Sequence, residues 1–192
     1  PLLYKDVVIL QADEDNGDKS YIAGLDKKSG KEIWRVPRKV QVSWATPVIV
    51  NAGGRDELIT SGTEAVIAYD PATGRELWRQ QRDEETSWAS PLLVEHAGKT
   101  QVITSATKKV RSYDAAGGEL LWETPGMTMN AIPTPVHAGG TVYLTSGFRG
   151  NALLAVKLDG AKGDISASPA IAWKLDRDTP YVPSPLLYGD EL

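Results

Sequence analysis

The chain has 192 residues, 41% of them hydrophobic and 24% charged, with a net charge of −4 and its basic residues scattered. That is the make-up of an ordinary globular protein; it lends nucleic-acid binding no electrostatic support, and no apolar run approaches the roughly 20 residues of a bilayer-crossing helix. Cysteine is absent, which excludes disulfides, thiolate nucleophiles and Cys-zinc sites together. The opening residues, Pro1-Leu-Leu-Tyr-Lys-Asp6, have neither the parts of a signal peptide nor an initiator Met. They are expected to follow a cut in a longer precursor or gene.

In chain order, short strands are expected at residues 1–4, 7–10 and 21–23. An acidic hairpin, with the turn signal Asn16-Gly17, lies between the second and third. Asp26-Lys-Lys-Ser-Gly30 is then a turn, followed by a strand carrying Trp34. The next unit repeats the plan more clearly. Residues 47–50, 57–61, 65–69 and 76–79 read as strands, with turns at 51–54, 62–64 and 70–74. In the last turn Pro71 presets φ, Asp70 can bond its own backbone two residues on, and Gly74 accepts a positive φ. The third unit has strands at 91–94, 101–105, 110–113 and 119–122. The fourth has them at 135–136, 141–145, 152–156 and 171–173, with a loop over 160–168 enlarging its last turn. Residues 184–188 are expected to open a fifth unit.

Trp34, Trp78 and Trp122 are spaced 44 residues apart, and each precedes a proline (Pro47, Pro91, Pro135) by 13. Trp173 belongs to a stretched fourth copy. A period of 40–50 residues with four strands is the sign of a β-propeller. The expected fold is therefore all-β: antiparallel four-stranded blades at about 1–46, 47–90, 91–134 and 135–184, with 185–192 as the first strand of a further blade.

The motif residues place the chain further. Ala68-Tyr-Asp70-Pro-Ala-Thr73-Gly74-Arg-Glu-Leu-Trp78 resembles in full the blade motif of the pyrroloquinoline-quinone (PQQ)-like repeat family. The neighbouring copies keep Asp26, Gly30 and Trp34, and Asp114, Gly118 and Trp122; Gly24 and Ser112 replace the first Ala, and Ser29 and Gly117 the Thr. The resemblance implies that each tryptophan docks between blades, against the small residue and the glycine peptide, giving Trp34, Trp78, Trp122, Trp173, Gly30, Gly74 and Gly118 a structural role. Residues 150–189 are also similar to bacterial repeat proteins of this kind, often secreted, which implies a periplasmic or secreted location. Rings in this family commonly have seven or eight blades, so four would be a partial ring. Either further sequence or a second copy of the chain would complete it.

The candidate site lies at the channel mouth. Trp44 and Trp88 immediately precede the first strands of the second and third blades, where Ile132 and Val182 take the equivalent places. They either fill the channel or form a stacking surface for a peptide or small ligand. Glu64, Thr107, Lys108, Asn130, Phe148, Arg149, Asn151 and Tyr181 are expected on the same face. Arg149, flanked by glycine, could clamp a carboxylate or be a solvated hairpin tip. Asp13, Asp15 and Asp18 have the look of a calcium loop but lack a distal bidentate Glu, so an acidic turn is the competing reading. His96 and His137 are expected as surface residues on turns of the opposite face, without companion ligands.

Two functions remain open. One is a non-catalytic binding or scaffolding propeller with no cofactor, which the resemblance supports through the family's outer-membrane assembly lipoprotein. The other is part of a PQQ-dependent alcohol or sugar dehydrogenase, whose quinone and calcium site uses a Cys pair and an Asp base; no such constellation is present in the sequence.

Overall fold

The computed structural model describes residues 1–86, 88–189 and 191–192; Ser87 of the segment preceding Pro91 lies outside them. Among the described residues there are strands and turns but no helix. The first sheet is β1 (Leu2–Tyr4), β2 (Val7–Ala12), β3 (Tyr21–Asp26) and β4 (Glu32–Pro37). The second is β5 (Val48–Ala52), β6 (Arg55–Ser61), β7 (Ala65–Tyr69) and β8 (Glu76–Gln81). The third contains β9 (Leu92–His96), β10 (Lys99–Thr104), β11 (Val110–Asp114) and β12 (Leu120–Thr124). The fourth is β13 (Val136–Ala138), β14 (Thr141–Ser146), β15 (Ala152–Lys157) and, after the two-residue β16 (Gly163–Asp164), β17 (Ile171–Leu175). Consecutive strands pair antiparallel, because the short connections allow nothing else. The four blades form an open, partial propeller.

One irregularity recurs in every blade. The ladder between the third and last strands slips by a residue at Gly24/Leu25, Ala68/Tyr69, Ser112/Tyr113 and Ala155/Val156. Each slip directly follows the residue paired with the motif tryptophan. A bulge of this kind bends the strand and sharpens its twist. The turn beside it is equally regular: Gly30, Gly74 and Gly118 each donate their N–H to the motif Asp carbonyl at 2.8 Å. Their φ values of 70°, 74° and 76° are disfavoured for a residue with a Cβ.

The core consists of three layers, each between two neighbouring blades and each holding one tryptophan. Ile9, Ile22 and Trp34 meet Leu58, Ile67 and Tyr69. Ile59, Val66 and Trp78 meet Val102 and Tyr113. Ile103, Val110 and Trp122 meet Val142, Leu144 and Leu154. Alternation along a strand divides the work: Leu58 faces the first blade, and its neighbour Ile59 faces the third.

Two segments depart from expectation. The 160–168 insertion does not merely widen a turn. It reaches back to the third blade, where β16 pairs parallel with β12 (Trp122 with Gly163, Glu123 with Asp164). The Ile165 N–H then donates to the Glu123 carbonyl at 2.9 Å, and the Ile165 side chain is fully buried beside Trp122. The last strand of a blade has an unpaired edge, and the insertion satisfies it. The other departure is at residues 184–192, expected to start a further blade. Among the described residues there, Tyr188 and Glu191 form an isolated bridge, Ser184 accepts from the Thr134 N–H, and Leu186 and Tyr188 are exposed. A strand needs a neighbour to hydrogen-bond, and none of the four sheets offers one there.

Candidate functional site

The motif tryptophans settle differently according to what lies opposite. A Cβ placed on Gly74 would sit 2.5 Å from the Trp34 ring, and one on Gly118 would sit 2.5 Å from the Trp78 ring. The indoles of the first and second blades thus lie against the glycine turn of the next blade. Gly24, paired with Trp34, is equally tight: a Cβ there would be 2.4 Å from the same ring. Trp122 meets no such turn; the insertion covers it, and it is fully buried. Gly30 has the same turn geometry, but nothing lies within 4 Å of where its Cβ would be. Trp173 has no blade opposite and is 45% exposed, against 9% for Trp34 and Trp78.

The ring nitrogens also differ. Trp78 Nε1 donates to Glu57 Oε2 at 2.7 Å and to the Ala115 carbonyl at 2.9 Å. Trp122 Nε1 donates to Gln101 Oε1 at 3.1 Å. Trp34 Nε1 is buried without an acceptor. Gln101 pairs with the motif residue Asp114, and in the first blade the residue paired with Asp26 is Val7, which has nothing to offer.

At the channel mouth the structure brings Trp44 and Trp88 together. Their rings stack at 3.7 Å between centroids and 8° between planes. Trp44 stays 50% exposed. Bonds between corresponding segments hold this region in register: the Thr46 N–H donates to Ser90 Oγ at 3.1 Å, and the Thr134 N–H to Ser184 Oγ at 3.0 Å. A second aromatic group forms where the sequence placed Phe148, Arg149 and Tyr181. Phe148 and Tyr181 stack at 4.8 Å, and the Arg149 guanidinium lies over the Phe148 ring at 5.3 Å. Arg149 has a φ of 54°, as a hairpin tip requires.

Asn130 and Lys108, expected on the same face, bond to neighbouring loops. Asn130 accepts from Thr86 Oγ1 at 3.2 Å and donates its backbone N–H to Thr107 Oγ1 at 3.2 Å. Lys108 pairs with Asp83 at 3.5 Å, and its backbone N–H donates to Glu84 Oε2 at 2.8 Å.

The acidic loop does not converge. Asp13 turns inward to Arg38, 3.3 Å away, with both side chains fully buried. It also accepts from Gln11 at 2.7 Å and Ser43 at 3.2 Å. Burial pushes the Asp13 carboxyl up, and the Arg38 charge opposes that shift. Asp15 and Asp18 point to solvent. Among the described residues no group of three or more His, Asp or Glu side chains is arranged to hold a metal ion. His96 and His137 are half-buried, not free on the surface. His96 meets Asp159 at 3.1 Å, and burial, with His96 nearby, holds His137 below the usual imidazole range.

A partly buried ionic cluster, centred on Arg111 and Glu84, escaped the sequence reading. Arg111 binds Glu84 at 2.5 Å, Asp83 at 2.8 Å and Glu123 at 3.1 Å, and Lys109 joins through Glu123. Arg82 donates to the Gly62 carbonyl at 2.6 Å and to Ser61 Oγ at 2.9 Å. A signal existed, because Arg38 and Arg82 are 44 residues apart and so occupy one repeat position.

The family model described as the outer membrane protein assembly factor BamB matches residues 18–163 and, in a second overlapping match, 63–192. The chain belongs to the BamB family. The crystal structure of BamB from Moraxella catarrhalis superposes with a TM-score of 0.60 at 18% sequence identity, over 82% of this chain and 48% of that one. At that identity the likeness to BamB is one of fold. The chain spans about half the length of this BamB structure. No curated protein is similar enough to count as a match. Among the described residues no helix is long and apolar enough to cross a membrane.

Proposed function

We propose that this chain is a non-catalytic, protein-binding scaffold that holds an extended segment of a partner across the channel-mouth aromatics. The observation that carries the reading is the Trp44–Trp88 pair, two indoles stacked at 3.7 Å with Trp44 still half exposed. Stacked aromatics are rigid, and an exposed aromatic face is where binding energy concentrates in protein interfaces. Phe148, Tyr181 and Arg149 add a second apolar platform with a cation beside it. Membership of a family described by an outer-membrane assembly factor supports a protein partner and a periplasmic setting.

The reading calls for no cofactor. The dehydrogenase alternative has less support, since the chain lacks Cys and Asp13 is committed to Arg38. The test is a peptide array tiled over outer-membrane assembly proteins, followed by fluorescence titration of the peptides that bind. Trp44→Ala and Trp88→Ala are expected to weaken binding at least about tenfold while leaving the fold intact. Binding unchanged in both variants would overturn the assignment, and so would PQQ retained through desalting with calcium and dye-linked alcohol oxidation.

A further inference from the structure

Between the third blade and the start of the insertion lies a groove of about 480 Å³, and we propose that it binds a small aliphatic carboxylate through Gln101 and Lys162. Gln101 is 7% exposed. Trp122 Nε1 and Ser112 Oγ both donate to its Oε1, at 3.1 Å and 2.8 Å. An indole N–H can only donate, so the atom facing it is the carbonyl oxygen, and the amide nitrogen is left to the groove that Gln101 lines. That nitrogen has no partner among the described residues. A donor held this firmly on a buried side chain is a fixed point of recognition for an acceptor that enters the groove.

The second blade shows the same position filled. Glu57, like Gln101, lies 21 residues before its blade's tryptophan and bonds that indole. Its other oxygen accepts from Arg55 at 2.7 Å, and Arg55 also donates to the Ala116 carbonyl, in the turn of the third blade, at 3.2 Å. Gln101 has no such pair. Lys99, two residues before it as Arg55 is before Glu57, bonds Asp114 at 2.7 Å instead, and the insertion runs out to pair with β12. The groove so left has an apolar wall of Leu121, Leu158 and Ala161 and a charged rim. On the rim Asp159 meets His96 at 3.1 Å, and Glu119 lies 3.9 Å from Lys99. Lys162 is exposed and has no carboxylate partner among the described residues. An unmatched ammonium and an unmet amide N–H on one groove select an anionic acceptor, and the wall selects a hydrocarbon body.

Titration of the 192-residue chain with 4-methylpentanoate, followed by nuclear magnetic resonance at the Gln101 side-chain amide, tests this. The expected result is a saturable shift of that signal, with 4-methylpentanamide binding at least about tenfold more weakly because it brings no charge. Gln101→Glu keeps an acceptor for Trp122, as Glu57 does for Trp78, and removes the donor. It is expected to weaken binding at least about tenfold, followed in that variant at the Ile165 backbone amide. Lys162→Ala changes an exposed side chain, so it is expected to leave the fold intact and weaken binding about threefold, the scale of an exposed ion pair. No saturable shift at any concentration of the acid, or an amide that binds as tightly as the acid, would overturn the proposal. So would unchanged affinity in either variant. Saturation by N-acetylglycylleucine but not by the free acid would overturn it in favour of a polypeptide terminus. If Gln101→Glu fails to fold, Lys162→Ala and the amide comparison still decide. None of these outcomes bears on peptide binding at Trp44, which is read separately.

Discussion

At the scale of single residues, the same tryptophan has four different fates, and the differences can be tested. Trp34 is the one whose buried N–H lacks an acceptor. Val7→Gln places an amide where Gln101 serves Trp122, and it should raise stability by about 1 kcal/mol in urea melts, within the cost of an unmade buried hydrogen bond. The Arg38–Asp13 pair runs the other way. Arg38→Met strands a buried carboxylate and should cost about 3–5 kcal/mol, most of it recovered when Asp13→Leu is added. Asp26 offers a pH test. The Ser29 hydroxyl, its backbone N–H and other turn contacts hold the Asp26 carboxyl below its ordinary value of 3.8. Its contribution is therefore present above that value and lost as the pH falls through the lower folded one. Asp26→Asn should flatten the acid limb of the stability profile and leave its neutral limb unchanged in shape.

The sequence made the tryptophans legible at this scale because their spacing is local and periodic. Asp13 was misleading for a physical reason: a carboxylate cluster looks alike whether it faces a cation in solvent or an arginine 25 residues away.

At the scale of elements, the strands and turns were readable because alternation, Gly and Pro chemistry and the 44-residue period agree. The insertion was visible as extra residues, but its seat was not. Nothing local tells Gly163 and Asp164 that the free edge of β12 lies within reach. Ile165 is the side chain that anchors it, and Ile165→Ala should destabilise the protein by about 2–4 kcal/mol. Hydrogen exchange should show the Ile165 amide opening with the loss, since its acceptor is the Glu123 carbonyl on β12.

At the scale of the whole molecule, blade stacking is a relation between a ring and whatever faces it. Two rings sit on glycine turns, one lies under the insertion, and one faces open space. The expectation of a partial ring came from setting four repeats against the seven or eight blades that the family resemblance implies. Where the aromatic pairs at its mouth would meet depended on which blades the stacking brings side by side, and only the structure shows that.

The most direct measurement compares Trp78→Ala with Trp173→Ala in chemical denaturation, at concentrations where the chain is monomeric. If an indole matters because of the blade it rests on, Trp78→Ala should lose about 3–5 kcal/mol and Trp173→Ala less than about 1 kcal/mol. Equal losses would contradict the account, because identical motif residues would then act within their own sheets and not between them.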